Sequence, residues 1–559
     1  MRVRRAKWGL FVLFAIMMFV GLSVCRCGSH SSTQAKAADD DAGDDASPDD
    51  DDNDDAAMTF PEGFLFGSAT AGFQVDMACP TIPASLCTDP HSDWYQFVTS
   101  PTIIHDPLAY VKGDDPAKVS PGHWELFASD FDRAKNGLHN NAFRMSIEWS
   151  RIFPKSTIGV EGYENLLAIA DADAVAHYHQ VFADLRARGL EPLVTLNHYT
   201  LPTWIHDAVG CHTDFAHCSP RGWVDADTTV NEIAKYAGFV AREYGGQVDL
   251  WTTLNEPFAV VLPGYLFPSK SRSNPPAVFL QFAAFKTAFA AMIQAHARMV
   301  DAIRANDLVS ARGNGQPAAE VGIVYSMSPA FPKDPNSALD KQAAANVFYI
   351  WNMVFLNAVA LGQFDENFDH QPVYHPELAG RMDFIGVNYY TCVMVSGLPF
   401  SIAPWMSPLF TFNPLTLDFG ALYPRGIYEM SEIVKNDFHL PVYITENNAR
   451  NDPHDTWAEE YRAMVEHLSW LWYAMQQGVD VRGYFYWALL DNYEWNQGYC
   501  QDGLYGVAAN DPTKQRVTRD IDALYAEIAG DNGVPPNLSS EYPVNFAAPA
   551  GAGLYGRGK

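Results

Sequence analysis

The sequence predicts an α/β protein built on a single closed (β/α)8 TIM barrel, and three observations predict it. From about Phe64 onward, eight short apolar, β-rich runs alternate with amphipathic helical stretches, the pattern of parallel strands joined by right-handed crossovers. Eight such units over this length suit a closed barrel better than an open sheet, and no glycine-rich fingerprint follows the first run, as a doubly wound nucleotide-binding sheet requires. Unusual polar residues also gather where the runs end, which in a barrel is one rim.

Taken in order, the chain opens with Arg2, Arg4, Arg5 and Lys7, followed by an uncharged apolar run from Trp8 to about Cys25. A basic start and a short apolar stretch describe an export signal, and the run is also near the lower edge of a bilayer span. Leu22-Ser23-Val24-Cys25 resembles a bacterial lipoprotein box, so residues 1–27 are read as an export signal or as a lipoprotein or membrane anchor. Residues 28–57 are rich in Ser, Ala and Asp. Such a segment cannot bury enough apolar surface to fold, and it is predicted as a disordered acidic linker. The barrel is assigned to 58–535 and a C-terminal tail to 536–559. The expected location is outside the cytoplasm, as a periplasmic or cell-surface lipoprotein or a secreted protein, with the membrane touched only through the N-terminal anchor. The dense aspartates of the linker carry about a third of the formal net charge of −29, and no basic patch suggests nucleic acid.

Within the domain the candidate strands are 64–71, 141–149, 191–198, 249–255, 319–325, 382–389, 441–446 and 481–487. Helical patterns between them include 175–189, 228–244, 277–305, 341–361 and 456–477. Cys79 lies near Cys87, and Cys211 near Cys218; in an exported chain each pair reads as a small disulfide staple. Cys211-His212 and His217-Cys218 leave zinc as an alternative, at a spacing that fits no metal template well. Cys392 and Cys500 have no evident partner.

The polar residues at the rim are Gln74 just beyond the first strand, Arg144 on the second, His198 ending the third and Asn255-Glu256 ending the fourth. Asn388 and Tyr390 end the sixth, Glu446 the seventh, and Trp487 lies on the eighth. A carboxylate ending an apolar strand costs stability unless it is paired. Two ion-paired structural glutamates would satisfy that cost as well as a catalytic pair does.

Longer segments narrow the choice. Phe64-Leu-Phe-Gly-Ser-Ala-Thr-Ala-Gly-Phe-Gln74, Arg144-Met-Ser-Ile-Glu-Trp-Ser-Arg-Ile-Phe-Pro154, Thr253-Leu-Asn-Glu-Pro257, Phe384-Ile-Gly-Val-Asn-Tyr-Tyr390, Ile444-Thr-Glu-Asn447 and Tyr484-Phe-Tyr-Trp-Ala-Leu-Leu-Asp-Asn-Tyr-Glu-Trp495 occur in this order. With them the chain resembles the family 1 glycoside hydrolases over roughly residues 60–530. Gly72–Met77 and Asp93-Trp-Tyr95 are most similar to the archaeal broad-specificity β-glycosidases.

The resemblance implies a retaining exo-β-glycosidase acting on β-linked oligosaccharides or glycosides at a terminal glucosyl, galactosyl or fucosyl residue. Glu446 matches the nucleophile and Glu256 the acid/base, held about 5–5.5 Å apart in retaining enzymes. Glu256 is expected to hold a proton near neutral pH, with Glu446 ionised. Arg144 and Tyr390 match groups that bond the nucleophile, Asn255 a donor to the sugar 2-hydroxyl, His198 and Gln74 ligands of the 3- and 4-hydroxyls, and Trp487 the ring under the sugar. Glu494 and Trp495 match the substrate-choosing end of the site, where Glu494 would bond the 4- and 6-hydroxyls and repel a 6-phosphate. No cofactor and no metal is implied.

Several positions depart from the pattern. Asp76 stands for Glu and Tyr199 for Trp. Asn448 stands for Gly, which predicts an asparagine in the left-handed conformation. Cys500–Gly506 replaces the usual stretch after Trp495, with Tyr505-Gly506 a candidate realignment. Glu148 is read as structural. Loop 393–423, with Phe400, Trp405, Phe410 and Phe412, is read as lining the leaving-group side. A transglycosidase on the same site and a non-catalytic sugar-binding barrel are the rival readings.

Overall fold

The structure, a computed structural model, describes residues 57–313, 315–448 and 457–548, together with Gly551 and Tyr555–Gly556. The expectations for residues 1–27 and for nearly all of the linker lie outside these residues.

Eight parallel strands close into a barrel: β1 (Leu65–Ala69), β2 (Ala142–Ser146), β3 (Glu191–Asn197), β4 (Leu250–Asn255), β5 (Glu320–Ser326), β6 (Phe384–Tyr389), β7 (Val442–Asn447) and β8 (Val481–Trp487). Each pairs with its neighbours in chain order, and β8 closes on β1 through Gly483↔Leu65 to Trp487↔Ala69. Each overlaps a strand read from the sequence, because a buried parallel strand is a near-continuous apolar run.

The outer layer contains α1 (His123–Asp132), α2 (Ala172–Ala187), α3 (Ala226–Tyr244), α4 (Phe282–Asn306), α5 (Ala338–Phe348), α6 (Val354–Leu361), α7 (Gly426–Ile433), α8 (Trp457–Gln476) and α9 (Asp520–Gly530). Asp171 starts α2 by accepting from the amides of Asp173 and Ala174, and Ser337 starts α5 by accepting from Asp340, each supplying an acceptor that the first turn lacks. The stretch read as one helix over 341–361 is two, α5 and α6, joined by a π-helical turn at Tyr349–Met353.

Two apolar layers hold the barrel. The large one lies between strands and helices. The inner one combines Phe384, Tyr443, Phe485 and Trp487 with the small Ala69, Ala71 and Ala142, the large-with-small mixture that fills a barrel without voids. At the foot, Met58–Thr59 pairs antiparallel with Gly533–Val534. Beyond 535 the chain still packs on the domain: Phe546 stacks on Tyr473 of α8 with ring centroids 4.9 Å apart.

Both cysteine staples form, Cys79–Cys87 and Cys211–Cys218. The second uses the sulfurs that the zinc alternative needed. Cys392 is buried and Cys500 half-buried, both as free thiols.

Candidate active site

The strand ends point a set of polar side chains at one another, and local irregularities aim them. The β4–β5 register shifts between Thr252 and Asn255, and the β6–β7 register between Val387 and Asn388. Such shifts re-aim side chains at a barrel rim. Glu256 follows directly, in a left-handed conformation (φ 46°), its amide held by the Val324 carbonyl at 3.0 Å. A non-glycine residue pays for that conformation, and such strain collects at functional positions.

One network joins the two glutamates. Arg144 Nη1 donates to Glu446 Oε1 at 2.6 Å, and its Nη2 donates to Asn255 Oδ1 at 2.8 Å. Asn388 Nδ2 reaches Asn255 Oδ1 at 3.3 Å and Glu256 Oε1 at 2.7 Å. Thr445 Oγ1 orients Asn388 by donating to its Oδ1 at 2.7 Å. Tyr390 donates its hydroxyl to Glu446 Oε2 at 2.6 Å. Arg144, Asn255, Asn388, Glu256 and Glu446 are all buried. Three hydrogen-bonded side chains therefore span from one carboxylate to the other on a single rim.

The remaining expected residues surround this pair. Gln74 Nε2 donates to Glu494 Oε2 at 2.8 Å and to Asn492 Oδ1 at 3.0 Å. Asn255 Nδ2 donates to His198 Nε2 at 3.1 Å, and Asn255 Oδ1 already accepts from Arg144, which fixes the amide's orientation. Burial, with Arg144 and Arg272 nearby, drives His198 well below its ordinary range. The ring is therefore neutral with its proton on Nδ1. Among the described residues, His198 Nδ1 and Gln74 Oε1 are buried without a hydrogen-bond partner, although such groups are nearly always satisfied. Trp487 and Trp495 stack against His198 at 5.7 and 5.8 Å.

Burial pushes Glu446 up to about 7, with Glu256 adding to the rise and Arg144 and Tyr390 opposing it. The sequence expectation placed the raised group at Glu256. The raised carboxyl is instead Glu446. Burial also raises Glu494, against Arg272 and Gln74.

The sequence reading missed Arg272 and gave Tyr199 no role. Arg272 Nη1 lies 3.2 Å from Glu494 Oε1, and its Nη2 donates to the Tyr199 hydroxyl at 2.6 Å. Tyr199 in turn donates to Glu256 Oε2 at 2.5 Å. Arg272 stands in an irregular segment that matches no quoted motif. The substitution of Tyr199 beside His198 was the one available signal. Because Arg272 offsets the charge of Glu494, rejection of a 6-phosphate cannot rest on an unpaired carboxylate.

Other expectations change. Left-handed conformation falls on Tyr199, Glu256 and Trp495, not on Asn448; Asn448 Nδ2 instead donates to the Trp487 carbonyl at 2.6 Å. Phe410 and Phe412 are core residues, whereas Phe400 and Trp405 are exposed. Tyr505 packs beside Gly137 in the helical layer. Glu148 is buried and accepts from Thr200 Oγ1 at 2.6 Å, Ser146 Oγ at 3.0 Å and the Phe73 amide at 3.2 Å, a bracing role between loops.

Known proteins share this arrangement of chain. The model of glycosyl hydrolase family 1 matches residues 56–534. A β-galactosidase of Pyrococcus woesei is 36% identical over 525 residues, covering 86% of this chain and 99% of that protein. β-Glucosidase A of Thermotoga maritima is 29% identical, covering 85% and 98% respectively. Among solved structures, the β-glycosidase of the hyperthermophile Thermosphaera aggregans superposes with a TM-score of 0.72 at 28% identity, covering 87% of this chain and 100% of that one.

Proposed function

Because the chain belongs to glycosyl hydrolase family 1, and is thus a glycoside hydrolase, we propose that it removes terminal β-D-glucosyl, and also galactosyl and fucosyl, residues with retention of configuration. Relatives named β-galactosidase and β-glucosidase support the sugar class.

The observation that carries the mechanism is the buried bridge Glu446–Arg144–Asn255–Asn388–Glu256, which holds two carboxyls on one rim. Glu446 attacks the anomeric carbon. The bond to the leaving oxygen breaks as Glu256 delivers its proton, and a glycosyl ester forms on Glu446. Glu256, now a carboxylate, takes a proton from water, whose oxygen attacks the same carbon and releases Glu446. Arg144 and Tyr390 hold Glu446 in position and stabilise it as the leaving carboxylate. Asn255 faces the 2-hydroxyl, and His198 Nδ1 and Gln74 Oε1 have free capacity for further sugar hydroxyls. Trp487 offers its face to the sugar ring, and Glu494 takes the 4- and 6-hydroxyls.

The test is a 2-deoxy-2-fluoro-β-glucosyl inactivator followed by peptide mapping. The fluoroglycosyl mass is expected on Glu446. A label on any other residue overturns the assignment. The reading includes export, supported by the basic start and apolar run of residues 2–25; fractionation of expressing cells tests it, and enzyme confined to the cytosol would refute it.

A further inference from the structure

Arg272 occupies a place that the two-step chemistry does not require. Its guanidinium touches three groups of the site at once: Tyr199 Oη at 2.6 Å, Glu494 Oε1 at 3.2 Å and Glu256 Oε2 at 3.8 Å. It also lies over the Tyr199 ring, 5.0 Å from the centroid. The segment bearing it is fastened to the chain after Trp495. Asn496 Oδ1 accepts from the Ser273 amide at 3.1 Å, Asn496 Nδ2 donates to the Lys270 carbonyl at 3.1 Å, and Gln497 Nε2 donates to the Ser271 carbonyl at 2.9 Å. A loop carrying a long cation is thus pinned to the loop carrying Glu494.

Tyr199 completes the link. It is buried, sits in the left-handed conformation (φ 74°), and passes a hydrogen bond from Arg272 to Glu256 Oε2 at 2.5 Å. Its hydroxyl has one proton and two lone pairs, so it accepts from the guanidinium and donates to the carboxyl at the same time. Asn388 holds the other oxygen, Oε1, at 2.7 Å. Both oxygens of Glu256 are therefore fixed, one from the β6 end and the other from the β3 end.

We propose that Arg272 and Tyr199 form a positioning relay for Glu256, in which the guanidinium anchored on Glu494 orients the phenol, and the phenol orients the oxygen that exchanges the proton with the leaving group. The proposal rests on the assignment of Glu256 as the acid/base. It ties the wall that takes the far end of the sugar to the group that performs proton transfer. Proton transfer is sensitive to heavy-atom geometry within hydrogen-bond reach, and small misplacements of a catalytic group are expensive.

The test measures kcat and KM for a series of aryl β-glucosides, from dinitrophenyl to phenyl, plus an alkyl glucoside. The enzymes are the wild type, Tyr199→Phe, Arg272→Met, Arg272→Lys, the Tyr199→Phe/Arg272→Met double variant and Glu256→Gln. Poor leaving groups need the proton most. For Tyr199→Phe and Arg272→Met the loss in kcat/KM should grow with leaving-group pKa, to about tenfold for phenyl and alkyl glucosides, but stay within about threefold for dinitrophenyl. The double variant should lose no more than the worse single variant, since both act through one path. Arg272→Lys should recover part of the loss.

A loss that is uniform across leaving groups, or additive in the double variant, overturns the relay. Glu256→Gln separates this failure from failure of the underlying assignment. If its own loss is independent of the leaving group, Glu256 is not the acid and the assignment falls. If its loss is steep while those of Tyr199→Phe and Arg272→Met are uniform, the relay alone falls. Arg272 is part-exposed, so Arg272→Met reports even where a change at buried Tyr199 weakens the fold.

Discussion

Glu446 meets Arg144 at 2.6 Å and still lies at about 7, because burial and the Glu256 charge outweigh the guanidinium. Under the proposed roles Glu446 attacks as a carboxylate, so kcat/KM is expected to fall as pH drops below about 7, which a pH–rate profile checks. The shift also enters stability. A carboxyl whose folded value lies above its ordinary 4.5 favours folding at low pH, and that contribution is lost as pH rises from about 4.5 through about 7. Glu446→Gln cannot titrate. Its melting temperature relative to wild type should therefore be higher at about pH 8 than at about pH 5; a constant difference would contradict the shift. At the other end of the site, Glu494→Ser removes the acceptor shared by Gln74 and Arg272. It should lower kcat/KM for β-glucosides and β-fucosides about 10–100-fold, the size of a hydrogen bond to a charged group. Residues carried by motifs, such as Asn255 and Glu446, were legible one by one. Arg272 was not, since an arginine in an irregular loop has no periodicity to mark it and its partners lie 73 and 222 positions away.

The strands were legible as elements because a buried parallel strand needs unbroken apolar residues, and several of the runs end in polar residues that face the rim. What the pattern did not foretell was how the strands make room for one another. A Cβ at Gly67 in β1 would lie 2.6 Å or less from two ring carbons of Phe485 and 2.9 Å from the Ala142 carbonyl oxygen. The ring has little room to retreat and the carbonyl belongs to the neighbouring strand. Gly67→Ala is expected to cost about 1–3 kcal/mol in urea unfolding, as overpacking does; an unchanged midpoint would show that the barrel yields there. Gly322 meets the Phe384 ring in the same way. The shifts of register beside Asn255 and Asn388 were equally hidden. A bulge is a property of two paired strands, and neither strand's own sequence states it.

For the molecule as a whole, the described residues form a barrel with every expected site residue between Gln74 and Trp495. Removing residues 1–56 should therefore leave kcat/KM within about twofold in a direct assay of both forms; a larger loss would give the N-terminal segment a part in catalysis. The sequence by itself determined the architecture and the strand order and marked Glu256 and Glu446 at strand ends, because hydrophobic period and strand-end motifs are local and survive without knowledge of contacts. Tertiary structure alone decided that burial raises Glu446, that Arg272 closes on Tyr199 and Glu494, and that Phe410 and Phe412 are core. Those outcomes depend on distances between residues far apart in the chain, and only the closed barrel brings them within hydrogen-bond or van der Waals reach.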